Sequence, residues 1–319
     1  MKRLLFLLLL TLSAVRAETI TLTPQRVSEH VYYFQGEAGM ASAANRGFMS
    51  NAGFVVTPEG VVVYDALATP ALGEAMLAAI RRITPAPIRL IVVGHYHADH
   101  FYGLQALRKT GARIVAHAAG QAYLRSDEAR ERLAQRRRDL SPWVDEHTEL
   151  VAADDWLTFK DSAPWRHALG GLHLRVIDSS GAHSPGDVML YVEEDRVLFA
   201  GDLFFTGRLP FVGNADCKRW LSALDRMLDA QPQVVIPGHG PASRQPRDDM
   251  LLTQRYLRYL REKMGAAVQD LVPFDEAYAH TDWSAFAAYP AFAQANRPNA
   301  YGTYLLMEQE SLQPTKETP

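Results

Sequence analysis

The run Ile88–Val93 reads as a buried strand, and it opens directly onto Gly94-His95-Tyr96-His97-Ala98-Asp99-His100. Imidazole and carboxylate are ligands of first-row metals, and imidazole suits zinc well. On a helix, residues two apart point away from each other, whereas in an extended segment at a strand end they share a side. His95 and His97 can therefore grip one metal while Asp99 and His100 turn toward a second. The rest of such a centre has to come from elsewhere in the chain.

Three further candidates lie at the ends of later strand-like runs. His183 sits in Gly181-Ala182-His183-Ser184-Pro185-Gly186-Asp187, Asp202 follows the run Val197–Ala200, and His239 follows Val234–Ile236. Each is flanked by glycine, which permits tight turns beside a ligand. Taken singly, a Gly-His or Gly-Asp pair marks a turn more often than a site. Taken with His95–His100, all at the same end of predicted strands, they read as one centre. The chain has a single cysteine, Cys217. That excludes disulfide stapling and Cys-based zinc fingers, and it leaves His and Asp alone to hold any metal.

The surrounding pattern predicts an α/β protein. Early strands are expected at Val31–Phe34, Phe54–Thr57 and Val61–Asp65, with Pro58-Glu59-Gly60 as a tight turn between the last two. A helix follows from Pro70, with Leu72, Met76, Ile80 and Ile83 at helical spacing. After Gly103 come a short helix, the strand Ala112–Ala116 and a polar, locally basic helix over Gln121–Arg138. The second half repeats the pattern: strands Leu172–Ile177 and Val188–Val192, then an amphipathic helix Asp216–Ala230. From about residue 246 the chain turns helical, with Leu252, Tyr256, Tyr259 and Leu260 as one face. This order suits two sheets packed face to face with helices outside. With 319 residues and 48% hydrophobic content the chain can bury a large core, which excludes wholesale disorder. The net charge of −3 argues against a broad nucleic-acid-binding surface.

Residues Met1–Ala17 have a basic start, a short apolar run and small residues at a cleavage position, the pattern of a secretory signal peptide. The expectation is an exported, periplasmic or secreted protein starting at Glu18, with no stable membrane anchor after cleavage. Residues 18–245 are expected to form the main domain. Residues 246–319 are expected to form its helical C-terminal extension, with a disordered tail from Gln313.

The set His95, His97, Asp99, His100, His183, Asp202 and His239, with Asp65 ending an early strand, resembles the metallo-β-lactamase superfamily. The likeness runs from about residue 30 to 245. It implies a four-layer αββα sandwich with the metal site at one edge of the sheets. It implies one zinc on His95, His97 and His183, a second on Asp99, His100 and His239, and Asp202 as the bridge: two zinc ions per chain, with iron or a mixed metal as the alternative. It further implies a metal-bridging hydroxide acting on an ester, thioester, lactone or amide of a small molecule, with Asp99 as the catalytic residue that orients the nucleophile and passes the proton.

Branch-specific positions narrow this. The true lactamases carry Cys or Ser where this chain has Asp202. Flavodiiron oxidoreductases carry Glu in place of His97, and quorum-quenching lactonases carry Tyr where this chain has Phe205. The segments Asn45–Phe54, Pro58–Val63 and His95–His100 are most similar to exported quinoprotein relay system zinc metallohydrolases and their sulfur-oxidation-associated relatives. That likeness implies a periplasmic quinoprotein or cytochrome system as partner. The other readings are an iron-dependent persulfide dioxygenase and a non-catalytic periplasmic metal-binding accessory protein. Near the centre, the loop Gly36–Phe48 has the composition of a flap, Phe204, Phe205 and Phe211 read as a buried cluster, and Arg208 is a candidate for holding a substrate carboxylate.

Overall fold

The computed structural model describes residues 20–160 and 163–312. The signal peptide expected over residues 1–17 and the tail from Gln313 lie outside these residues. No helix among the described residues is long and apolar enough to cross a membrane.

Among the described residues, the first sheet has seven strands in chain order: β1 (Gln25–Arg26), β2 (Val31–Phe34), β3 (Ala52–Thr57), β4 (Gly60–Tyr64), β5 (Ile88–Val93), β6 (Arg113–His117) and β7 (Asp155–Leu157). It is antiparallel up to β4 and parallel from β4 to β7. The second has five, β8 (Trp165–Leu169), β9 (Leu172–Asp178), β10 (Val188–Val192), β11 (Val197–Phe205) and β12 (Val234–His239), in reverse order across the sheet. The helices are α1 (Pro70–Ile83), α2 (Ala98–Phe101), α3 (Leu104–Leu107), α4 (Ala119–Arg125), α5 (Asp127–Asp139), α6 (Cys217–Asp229), α7 (Pro246–Gln269), α8 (Phe274–His280) and α9 (Phe292–Leu312).

Strand alternation sets the layers. In β5, Leu90 and Val92 face the second sheet and meet the cluster of Val176, Leu190, Phe199 and Ile236. Ile91 and Val93 face outward and pack with Leu72, Met76 and Ile80 of α1. On the far side, Met189, Leu198 and Val235 pack with Trp220 and Leu224 of α6 and with Leu257 of α7. The result is the αββα sandwich, with a helical C-terminal region on the second sheet. Capping follows the sequence: Thr69 accepts from the Leu72 N–H at 3.1 Å to start α1, and Asp216 accepts from Lys218 and Arg219 to start α6.

Several boundaries differ from expectation. The single helix expected over Gln121–Arg138 is two, because Ser126 is extended and its hydroxyl caps α5 by accepting from the Ala129 N–H. β11 and β12 run through Asp202 and His239 instead of stopping short of them. They pair in parallel with irregular register on both sides of Gly201, whose φ of +53° allows the bulge. Periodicity gave no sign of β1, β7 or β8, which are short or half-exposed edge segments.

Candidate metal centre

The ends of β4, β5, β11 and β12 and the β9–β10 loop meet at one edge of the sandwich. The Val188 N–H donates to Gly94 O at 2.8 Å, and the buried Tyr64 hydroxyl donates to Val188 O at 2.8 Å, which ties the first sheet to the second there. All seven residues singled out in the sequence converge on this edge, in two groups that could each hold a metal ion: His95, His97, His183 and Asp202, and Asp99, His100 and His239.

Asp202 faces both groups. Its Oδ2 lies 3.5 Å from His183 Nε2 and 4.0 Å from His95 Nε2, while its Oδ1 lies 3.1 Å from His100 Nε2 and 3.3 Å from His239 Nε2. Within the first group, His97 Nδ1 and His183 Nε2 are 2.9 Å apart. Within the second, Asp99 Oδ2 is 3.5 Å from His100 Nε2 and 3.3 Å from His239 Nε2. Tetrahedral coordination with bonds of about 2.0–2.1 Å separates ligand atoms by about 3.3 Å, so these spacings suit a small cation in each group. The ring nitrogens His95 Nε2 and His100 Nε2 are buried with no hydrogen-bond partner among the described residues. Orphaned imidazole nitrogens pointing at a carboxylate-rich centre are what a metal would satisfy.

The charge state fits as well. Burial and the neighbouring His100 and His97 hold His95 well below its ordinary range, and burial pushes His183 down to about 3. Both are therefore neutral at pH 7, the form that ligates. Burial also opposes a proton on His100, but Asp202, Asp99 and Asp65 outweigh it and hold its pKa well above the ordinary value.

Backbone and neighbouring side chains fix the ring orientations. His100 Nδ1–H donates to Asp65 Oδ2 at 2.8 Å, and His239 Nδ1–H donates to Met49 O at 2.8 Å, so each Nε2 points inward. Asp65 has φ +60° directly after β4, and its other oxygen accepts from the Gly94 N–H at 2.6 Å. Phe205 stacks on the His239 ring at 5.1 Å, and Trp220 meets His183 edge-on at 5.1 Å. Gly238 has no room for a side chain, since a Cβ there would lie 2.0 Å from Asp202 Oδ1.

Sequence reasoning assigned no role to Met49, Ser50 and Asn51, yet they brace the second group. Ser50 donates to Asp99 O, and Asn51 donates to Pro237 O and Gly240 O at 2.8 Å each, on either side of His239. The signals were a Ser-Asn pair immediately before an apolar strand and the place of these residues in the segment Asn45–Phe54 that carries the subgroup likeness. The loop over 36–48 is tied down as well: Trp143 Nε1 donates to Ala43 O at 2.9 Å, and Asn45 Oδ1 accepts from Ser42 and Gly47. Trp156 packs on Tyr96, and His30 and His173 pair with Asp195 and Glu194.

Residues 45–239 match the family model of the metallo-beta-lactamase superfamily. The chain belongs to that superfamily. Among curated relatives it is 24% identical over 248 residues to the linear primary-alkylsulfatase of Pseudomonas sp. (strain ATCC 19151), covering 66% of this chain and 45% of that one. It is 30% identical over 177 residues to the acyl-coenzyme A thioesterase MBLAC2 of Gallus gallus, covering 49% and 57%. The chain thus spans about half the length of these relatives. The sec-alkylsulfatase Pisa1 of Pseudomonas sp. superposes with a TM-score of 0.69 at 18% identity, over 93% of this chain and 52% of that one, a likeness of fold.

Proposed function

We propose that this protein is a binuclear zinc hydrolase that cleaves an ester-type bond, carboxylic, thio- or sulfate, in a small molecule. The observation that carries the reading is the double-facing Asp202, one oxygen to each ligand group. His95, His97 and His183 would hold one zinc and Asp99, His100 and His239 the other, with Asp202 shared. Two zinc ions held so would supply Lewis acidity at the scissile bond and bring the ionisation of water down toward neutral pH.

The chain's own groups do the rest. Asp99 is the most open of the three carboxylates, with its side chain 13% exposed against 4% for Asp202 and 1% for Asp65. It is placed to orient a water and to carry a proton to the leaving group. Phe205 and Trp220 close the rear of the site against solvent and stop the His239 and His183 rings from turning. The alkylsulfatase and thioesterase relatives support hydrolysis as the reaction class. Export through residues 1–17 and a periplasmic quinoprotein or cytochrome partner remain proposals that rest on the sequence and its resemblance alone.

The test is turnover by zinc-loaded protein of a panel of aryl ester, thioester, lactone, alkyl sulfate and cephalosporin. At least one is expected to be hydrolysed, with Asp99→Asn slowing it by about 10²–10⁴-fold, the usual worth of general acid–base catalysis. Fully loaded protein that turns over none of them would overturn the reading.

A further inference from the structure

Arg208 is 1% exposed, a buried cation in a molecule whose other described Lys and Arg side chains reach solvent. It follows β11, just past the turn at Gly207. Its guanidinium lies over the Phe211 ring at 4.9 Å, and that ring stands edge-on to His239 at 6.4 Å, so the group sits one ring away from the second ligand set. Nη1 makes one long bond, to Gly39 O at 3.4 Å. Nε and Nη2 are buried and have no hydrogen-bond partner among the described residues. The carboxylates whose charge reaches it are Asp202 and Asp99, both members of the ligand groups.

A buried, unpaired guanidinium is costly, because its desolvation is not returned by any ion pair. Nε and Nη2 form one edge of the planar fork, and two N–H bonds run parallel from that edge. It is the geometry that takes two oxygens of one carboxylate or sulfate. Phe211 lies against the guanidinium, and this edge makes no hydrogen bond among the described residues.

We propose that Arg208 binds an anionic oxygen group of the substrate through its Nε–Nη2 edge, so that the substrates of this site carry a carboxylate or a sulfate. The proposal rests on the hydrolase reading above for the word substrate, and the anion site itself is tested separately. The fork's reach from the ligand groups means the anion is either part of the scissile bond, as in an alkyl sulfate, or a neighbouring carboxylate on the acyl portion.

The experiment is calorimetric binding to the zinc-loaded full chain of glutarate, of hexyl sulfate and of neutral glutaramide, in wild type, Arg208→Met and Arg208→Lys. Wild type is expected to bind at least one anion and to ignore glutaramide. Arg208→Met should lose that affinity by at least about tenfold, with zinc content unchanged. Arg208→Lys, which keeps the charge without the fork, should fall between the two, and it carries the test should the Met variant fail to fold. Loss confined to hexyl sulfate identifies the sulfate of the reacting bond; loss confined to glutarate identifies a remote carboxylate. Absence of anion binding to wild type, or equal binding in wild type and variants, overturns the proposal. Arg208-dependent binding without turnover of any panel substrate would sink the hydrolase reading and leave the anion site standing. Turnover with no Arg208-dependent binding would do the reverse.

Discussion

Asp65 accepts the Nδ1–H of His100 at 2.8 Å, with both side chains out of contact with solvent. The same carboxylate accepts the Gly94 N–H, so it fixes the tautomer of a candidate ligand and the end of the strand that delivers four of the seven ligand-type residues. Outer partners of this kind set ring orientation and basicity.

Asp65→Ala is therefore expected to weaken the second metal by about 10–100-fold, the usual effect of losing such a partner, and to spare the first. Competition titration with a zinc-sensitive dye resolves the two events. Unchanged affinity at both sites would show that Asp65 only ends a strand.

Gly238 gives a sharper probe of Asp202. Its Cβ position lies 2.0 Å from Asp202 Oδ1 and 2.7 Å from the Gly201 carbonyl carbon. Gly238→Ala must displace the Asp202 carboxylate, so if Asp202 is shared as proposed both metals should be lost or weakened together, with a stability cost of about 1–3 kcal/mol. Gly39→Ala, where nothing lies within 4 Å of the new methyl, is the matched control. Metal analysis after gel filtration reads the outcome. Full metal content in Gly238→Ala would mean that Asp202 does not bridge.

Asp187 predicts a pH effect on the metal-free protein. Burial pushes its carboxyl up to about 8, against bonds from the Ser184 hydroxyl and N–H at 2.6 and 2.7 Å that work to lower it. An unfolded Asp titrates at about 3.9. Between those values the folded chain holds a proton that the unfolded chain has released, so stability is fully present at low pH and is lost as pH rises toward 8. Relative to Asp187→Asn, chelator-treated wild type should lose melting temperature between about pH 5.5 and about pH 8 in calorimetry, because the depressed buried histidines contribute equally to both proteins. Asp187→Asn should flatten that slope. Parallel slopes in the two proteins would remove Asp187 as the cause.

The layers of this fold could be read in the sequence because its strands are buried on both faces or alternate cleanly. Val31–Phe34, Ile88–Val93 and Val188–Val192 match the expected bounds residue for residue. The ligand-type residues were legible because chemistry concentrated His and Asp where turns were expected. What periodicity could not show was long-range. The bulge at Gly201 carries β11 on past Asp202, and it depends on pairing with β12, some 35 residues later. Met49 acts through its backbone carbonyl, which no side-chain pattern encodes. Arg208 stood out as a candidate for holding a carboxylate, but its burial, with Phe211 and the Gly39 carbonyl against it, comes from long-range packing that the sequence does not show.

The most direct test of the central claim is the metal content of the purified, zinc-supplied protein beside Asp202→Ala. A centre built as two ligand groups around one shared carboxylate should hold about two zinc per chain in the wild type, and Asp202→Ala should lower the affinity for both. A single iron with no zinc, or two zinc held as tightly without Asp202, would contradict it.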